Sequence, residues 1–310
     1  MRGEHPASLV LGYVQLGLAY GAANRTSMPS RNNPLKLLRR AANAGVFEFD
    51  TARASGDSEH QLGEALEGKR AHTMTRLSPL TGLSTDASRT DVRAAVDDSI
   101  ADSLAALRRD RLDCLLLHRA AHMTAFNGAI WQRLVEHIED GLILSLGVSV
   151  QSPQEALAAL EHPDVRHLQL PFNILDWRWR ERCVVDRIRT RPHVTVHARS
   201  VFLQGILAAE DSSVWPVIEG VDAAAVLARI AEIAKQFGRE SAADLCLAYA
   251  RGQNWIDGVI VGMENEDQLD TNLRLFVRPP LAQEDCEEIA YLLPRVPVKL
   301  LDPAQWPAKS

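Results

Sequence analysis

No stretch of this sequence approaches the roughly 20 unbroken apolar residues that a membrane-crossing helix needs, and Met1 to Ser8 carry no apolar leader. The expectation is a cytoplasmic protein with no membrane insertion. Cysteine is scarce. Cys114, Cys183, Cys246 and Cys286 are far apart and form no CxxC pair, which excludes a zinc ribbon or a thioredoxin-type redox motif. All four are expected to be reduced core residues. Basic charge is not in excess either: 34 Lys and Arg stand against 40 Asp and Glu, a net charge of -6. A nucleic-acid partner, which needs a clustered basic face, is therefore not expected. A Gly-rich dinucleotide turn is also missing after the first apolar run, which argues against an open doubly wound sheet.

What the sequence does have is apolar material, 46% of its residues, enough for a sizeable core without disulfides or metals. Eight short apolar runs alternate with longer helical patterns: Leu9 to Leu11, Phe47 to Phe49, His72 to Thr75, Leu112 to Leu117, Ile143 to Val148, His167 to Leu170, Val194 to Ala198 and Val259 to Val261. Such alternation is the signature of parallel strands joined by crossover helices. The helical segments repeat apolar residues near every 3.6 positions, as in Val92, Val96, Ile100, Leu104 and Leu107, and stop at Gly45, Gly68, Gly141 and Gly238. Two more helical patterns, about Glu266 to Phe276 and Cys286 to Leu293, follow the last run. The expected fold is one α/β domain over residues 1–310, a (β/α)8 TIM barrel with additional C-terminal helices.

In such a barrel the residues that follow the strand ends line the active site. After the second run come Asp50-Thr51-Ala52, then Arg53-Ala54-Ser55-Gly56-Asp57-Ser58-Glu59, then a helix that opens Gln61-Leu62-Gly63. This stretch resembles the signature of the aldo-keto reductases, and the resemblance extends from about Leu9 to Phe276. It implies carbonyl reduction by a nicotinamide hydride, with a tyrosine hydroxyl supplying the proton. The tyrosine position, five residues after Asp50, is Ser55, an aliphatic hydroxyl too short and too weakly acidic for that role. The family's lysine at the end of the third strand is matched by Arg76, which cannot trade a proton. Arg76 could keep the positive charge for chemistry or form a structural bridge with Asp50. His118, which closes the fourth run, matches the residue that holds a carbonyl oxygen, although a histidine there can also be structural. Tyr13 and Tyr20, near the first strand end, are substitute acids or packing residues.

The resemblance keeps more of the cofactor site. Ser149 and Gln169 match the residues that hold the nicotinamide carboxamide, while Val150 replaces a common asparagine. Arg199 occupies the place of a stacking aromatic, unless it is a plain surface arginine, and Ser200 matches a pyrophosphate contact. The adenosine segment is matched by Gly262, Met263, Glu264, Gln268 and Asn272. It has no Lys or Arg to pair with a 2′-phosphate, and its acids Glu264, Glu266 and Asp267 would repel one. That implies NAD(H), although Glu266 and Asp267 also suit an ordinary helix start.

Tyr20-Gly21-Ala22-Ala23-Asn24, Met28-Pro29-Ser30 and the Arg199 to Gly205 loop are similar to the branch that includes the KidO-type regulators. This implies a degenerate reductase that binds a nicotinamide dinucleotide and acts through protein contacts in bacterial cell division and kinase signalling, with a division GTPase or a histidine kinase as partner. Trp177-Arg178-Trp179-Arg180 would suit a protein contact or a packed helix. The mobile elements of such a switch would be Leu203 to Gly220 and the tail after Arg295. The alternative is an active NAD(H)-dependent oxidoreductase on a small carbonyl or sugar, with His118 as the acid.

Overall fold

The computed structural model describes residues 6–13, 33–181 and 183–307. Its strands are β1 (Ser8–Gly12), β2 (Glu48–Asp50), β3 (His72–Arg76), β4 (Cys114–Leu117), β5 (Leu146–Ser149), β6 (His167–Pro171), β7 (Thr195–Arg199) and β8 (Gly258–Gly262). All pair in parallel in chain order, and β8 closes on β1 through Leu11 opposite Val261. The helices are α1 (Pro34–Asn43), α2 (Ser58–Ala65), α3 (Arg89–Leu107), α4 (Ala129–Glu139), α5 (Pro153–Glu161), α6 (Arg178–Glu181), α7 (Val184–Arg189), α8 (Ala223–Gln236), α9 (Ala242–Arg251), α10 (Glu266–Val277), α11 (Gln283–Leu292) and α12 (Val298–Leu301). This is the expected (β/α)8 TIM barrel with additional C-terminal helices.

Each strand sends alternate side chains outward to the helices and inward to the barrel axis. The outward set, such as Leu11, Phe49, Leu115, Leu117, Leu168 and Val261, joins the large helix-facing core. The inward set is layered, as barrel interiors are. Val10, Met74, Cys114, Leu116 and Ile260 form a separate apolar waist. One step toward the strand starts lies a polar floor of Glu48, His72, His167 and His197. The His167 and His197 rings meet edge to face, 4.4 Å between centroids, and His197 Nε2 lies 3.6 Å from Glu48. One step toward the strand ends lie Asp50, Arg76, Ser149, Gln169 and Arg199.

Two glycines permit close approaches that a side chain would block. A Cβ on Gly147 would lie 2.1 Å from the His167 carbonyl oxygen, and one on Gly63 would lie 2.4 Å from the Ala106 carbonyl oxygen where α2 meets α3. Both obstacles are backbone and cannot swing aside. The start of α9 is capped by Ser241, whose hydroxyl accepts from the Asp244 N–H at 3.1 Å.

Three expectations need correction. Cys183 is exposed, in a left-handed turn (φ 55) before α7, while Cys114, Cys246 and Cys286 are buried. Of the two readings of Trp177 to Arg180, Trp179 and Arg178 take the packed one. Trp179 is fully buried and donates to Asp176 at 3.0 Å, and Arg178 pairs with the same carboxylate at 2.6 Å. The tail after Arg295 is anchored: Leu300 and Leu301 are buried, and the Val296 carbonyl accepts from Trp177 Nε1 at 3.0 Å. The Leu203 to Gly220 segment is held too, with Leu203, Ile206 and Leu207 buried and Trp215 Nε1 donating to the Ile206 carbonyl at 3.0 Å.

The floor makes stability sensitive to acid. Burial pushes the His197 imidazole down to about 3 and that of His167 well below its ordinary value. The unfolded chain then takes up these protons first, so the stabilisation is complete above about pH 6.5 and is lost as pH falls toward the folded values. The denaturant midpoint should fall below about pH 6.5, and less steeply in His197→Gln; a slope unchanged by that substitution contradicts the assignment. Gly147→Ala should cost about 3 kcal/mol in chemical denaturation.

Candidate active site

Arg76 is the hub of the mouth layer. Its Nη2 donates to Asp50 Oδ2 at 2.9 Å and to Gln169 Oε1 at 2.5 Å, and its Nη1 donates to the Thr51 carbonyl at 2.5 Å. Gln169 Nε2 donates in turn to the other Asp50 oxygen at 3.0 Å, and Ser149 Oγ donates to Gln169 Oε1 at 3.4 Å. Asp50 is 2% exposed, Arg76 7% and Gln169 0%. Taking two charges out of water costs several kcal/mol per ion, and the loss is offset only where the remaining donors and acceptors are satisfied. This network meets that condition. Of the two readings of Arg76, the geometry is that of a bridge with Asp50.

The turn after β2 brings Ser55 to the same end of the barrel, 3% exposed, with its N–H on the Ala52 carbonyl at 3.0 Å. Behind it, Thr51 Oγ1 donates to Ser58 Oγ at 2.9 Å, and Thr75 donates to the buried Glu59 at 2.5 Å. The Tyr13 N–H binds the Asp50 carbonyl at 2.8 Å, but its phenol donates to Gln61 on α2. Burial, reinforced by Asp57, pushes that phenol further up, so Tyr13 is no substitute proton donor at neutral pH. Tyr20 lies outside the described residues.

His118 follows β4 and is exposed at the rim. Desolvation within the mouth, then the charges of Arg76, Arg119, Arg199 and His122, push its imidazole down to about 4. His118 is therefore neutral at physiological pH. It can donate one N–H to a carbonyl oxygen, but it is a poor proton source.

The residues matched to a cofactor are dispersed along the strand ends. Arg199 Nη2 donates to Gln151 Oε1 at 2.7 Å and to the Val150 carbonyl at 3.2 Å, and Gln151 Nε2 donates to Asp302 at 3.2 Å. Ser200 sits in a left-handed turn (φ 62) directly after β7. At the end of β8, Gly262 is half-buried, whereas Met263 is fully buried and offers a ligand only its backbone. Gln268 is used structurally. Its side chain accepts from the Glu264 N–H at 2.7 Å, while Asn265 accepts from the Gln268 N–H at 2.8 Å, capping α10. Asn272 lies buried on α10. Burial raises the Glu264 carboxyl above its ordinary value. Glu266 pairs with Lys36 at 2.6 Å and with Arg40, which also holds Asp270 at 2.6 Å. The charge of Glu266 is thus balanced from α1, and its expected repulsion of a 2′-phosphate loses most of its force.

Sequence reasoning missed Thr51, Gln151, Asn265 and Asp302. The first acts through its backbone carbonyl, and the Gln151–Asp302 contact joins residues 151 positions apart. Asn265 and Gln268 had a readable helix-start spacing.

Because the network is buried, truncating one partner leaves the other charge stranded. Arg76→Ala should lower stability by about 3 kcal/mol or more, with Arg76→Lys losing less, as read by chemical denaturation. An Arg76→Ala loss under about 0.5 kcal/mol would show the pair to be incidental.

The model of the Aldo/keto reductase family matches residues 8–293. No curated protein matches the chain. Among solved structures, the holo form of aldo-keto reductase AKR11C1 from Bacillus halodurans is similar, with a TM-score of 0.74, 20% sequence identity and 96% of each chain covered. At that identity the likeness bears on the fold alone. Family match and closed barrel agree, and the chain belongs to the aldo/keto reductase family.

Proposed function

We propose that this protein is an NAD(H)-binding aldo/keto reductase homologue with impaired catalysis, whose bound nucleotide is read by a protein partner. The observation that carries the reading is the fate of the two proton-delivery positions. Ser55 has no phenol, and the guanidinium of Arg76 is committed to Asp50, Gln169 and the Thr51 carbonyl. A neutral His118 does not replace them as an acid, which weighs against an active oxidoreductase that uses it so.

Nicotinamide dinucleotide is the cofactor class that family membership suggests, and the similar Bacillus halodurans enzyme is a holo form. NAD(H) rather than NADP(H) is favoured by the absence of Lys and Arg from residues 262–268 and by Glu264 there. The regulatory part, with the KidO-like branch, a division GTPase or a histidine kinase as partner, is supported by the sequence likeness and by one route through the structure. Arg199 at the mouth is tied through Gln151 to Asp302 in the C-terminal segment. A nucleotide that engages Arg199 in one state of this chain would bias the surface beside it.

Two measurements test the proposal. NADH should bind in a fluorescence titration, more tightly than NADPH, with no turnover on a panel of aldehydes, ketones and sugars. The double variant Ser55→Tyr, Arg76→Lys should raise aldehyde reduction by about 100-fold or more, the scale of a restored general acid. No affinity for either nucleotide, or efficient turnover by the unaltered protein, would overturn the proposal.

A further inference from the structure

The connections that lead into α3 and α4 enclose a cavity of about 390 Å³, within the roughly 300 to 1,000 Å³ range of small-molecule sites. Its wall includes Asp86 and Arg89 at the entry to α3, Phe126 and Asn127 before α4, and Gln132 on the first turn of α4. None of Asp50, Ser55, Arg76, His118 and Arg199 lines it, so it is separate from the mouth. The backbone there is unusual. Phe126 (φ 52) and Asn127 (φ 54) are both left-handed and run into Gly128 (φ 77). A bulky residue rarely adopts that conformation, and residues held in it cluster at ligand clamps. The charges are unusual too. Arg89 Nη2 donates to Gln132 Oε1 at 2.8 Å and Asp86 accepts from Ser84 Oγ, yet neither makes an ion pair among the described residues. The Ser84 hydroxyl holds the Asp86 carboxyl below its ordinary value, so that it is ionised at neutral pH. One cavity thus carries an anion and a cation that do not neutralise each other.

We propose that this cavity binds a free α-amino acid with an apolar side chain, its carboxylate on Arg89, its ammonium on Asp86 and its side chain against Phe126. The planar fork of a guanidinium matches a carboxylate through two parallel N–H···O bonds, and Arg89 has donors left after its bond to Gln132. An ammonium supplies three donors and no acceptor, which suits the Asp86 oxygen that Ser84 does not occupy. A ligand with a single charge would leave one of the two wall charges without a partner, and a neutral ligand would leave both. Phe126 is half-buried and shares the wall with Ala87 and Ala129, which gives the cavity its apolar part. The inference is independent of which nucleotide binds and of the part His118 plays.

Calorimetric titration of the full chain without nucleotide tests it, with L-phenylalanine, its amide, 3-phenylpropanoate and glycine as probes. L-phenylalanine should bind saturably. The amide, which lacks the carboxylate, and 3-phenylpropanoate, which lacks the ammonium, should each bind roughly fivefold more weakly, the scale of one exposed ionic contact, and glycine should also be weaker. Arg89→Gln should bring L-phenylalanine down to the level of the amide and leave the amide unchanged, while Asp86→Asn should bring it down to the level of 3-phenylpropanoate and leave that acid unchanged. Both positions are exposed, and circular dichroism checks the fold of each variant. Asn127→Gly, which suits the left-handed backbone, should keep the fold and weaken L-phenylalanine. No saturable binding of L-phenylalanine, equal affinity for all four probes, or an affinity that neither Arg89→Gln nor Asp86→Asn changes would overturn the assignment. The NADH titration reads the cofactor proposal separately, so either can fail while the other stands.

Discussion

A buried ion pair governs the mouth of this barrel. Arg76 and Asp50 meet at 2.9 Å on adjacent strands, where water cannot solvate either charge well. Attraction at that distance does not by itself offset the loss of hydration. The rest of the mouth supplies the balance: Gln169 bridges the pair, accepting from the guanidinium and donating to the carboxylate, and the Thr51 carbonyl takes a further guanidinium proton. One consequence is chemical. The cation next to the reaction space is fixed in place and cannot move a proton. Another concerns binding, because Gln169 spends its amide on the network and leaves Ser149 as the less committed of the two groups matched to the carboxamide.

The same period of two that builds the mouth also builds the rest of the interior. Inward residues fall into a polar floor, an apolar waist and a polar mouth. The waist separates two sets of buried charged and polar groups with different roles. His167 and His197 are kept neutral by burial, with Glu48 at their edge. The mouth keeps charge and pairs it, Arg76 with Asp50.

Much of the fold was legible because the outward faces of most strands are apolar, as with Leu115 and Leu117 on β4. Strand limits were less so. Asp50, Arg76 and Arg199 end their strands and yet are charged, so hydrophobic patterning stops short of them. The site was legible where a residue type was missing or substituted, as at Ser55 and Arg76. It was not legible where partners come from distant segments, as with Gln151 and Asp302, or from backbone carbonyls, as at Thr51. Likewise, the sequence left Trp179 open between a protein contact and a packed helix and read the tail at Leu300 as mobile, since sequence alone does not say which helix covers which strand.

The central claim is that the mouth still accommodates a nicotinamide dinucleotide while an arginine bridge stands where proton delivery would be. A crystal structure of the protein grown with NADH tests it most directly. The account predicts the nucleotide across the strand ends, its carboxamide within hydrogen-bond reach of Ser149, with Arg76 still on Asp50. A mouth empty of nucleotide, or a tyrosine hydroxyl swung against the nicotinamide ring with Arg76 displaced, would contradict it.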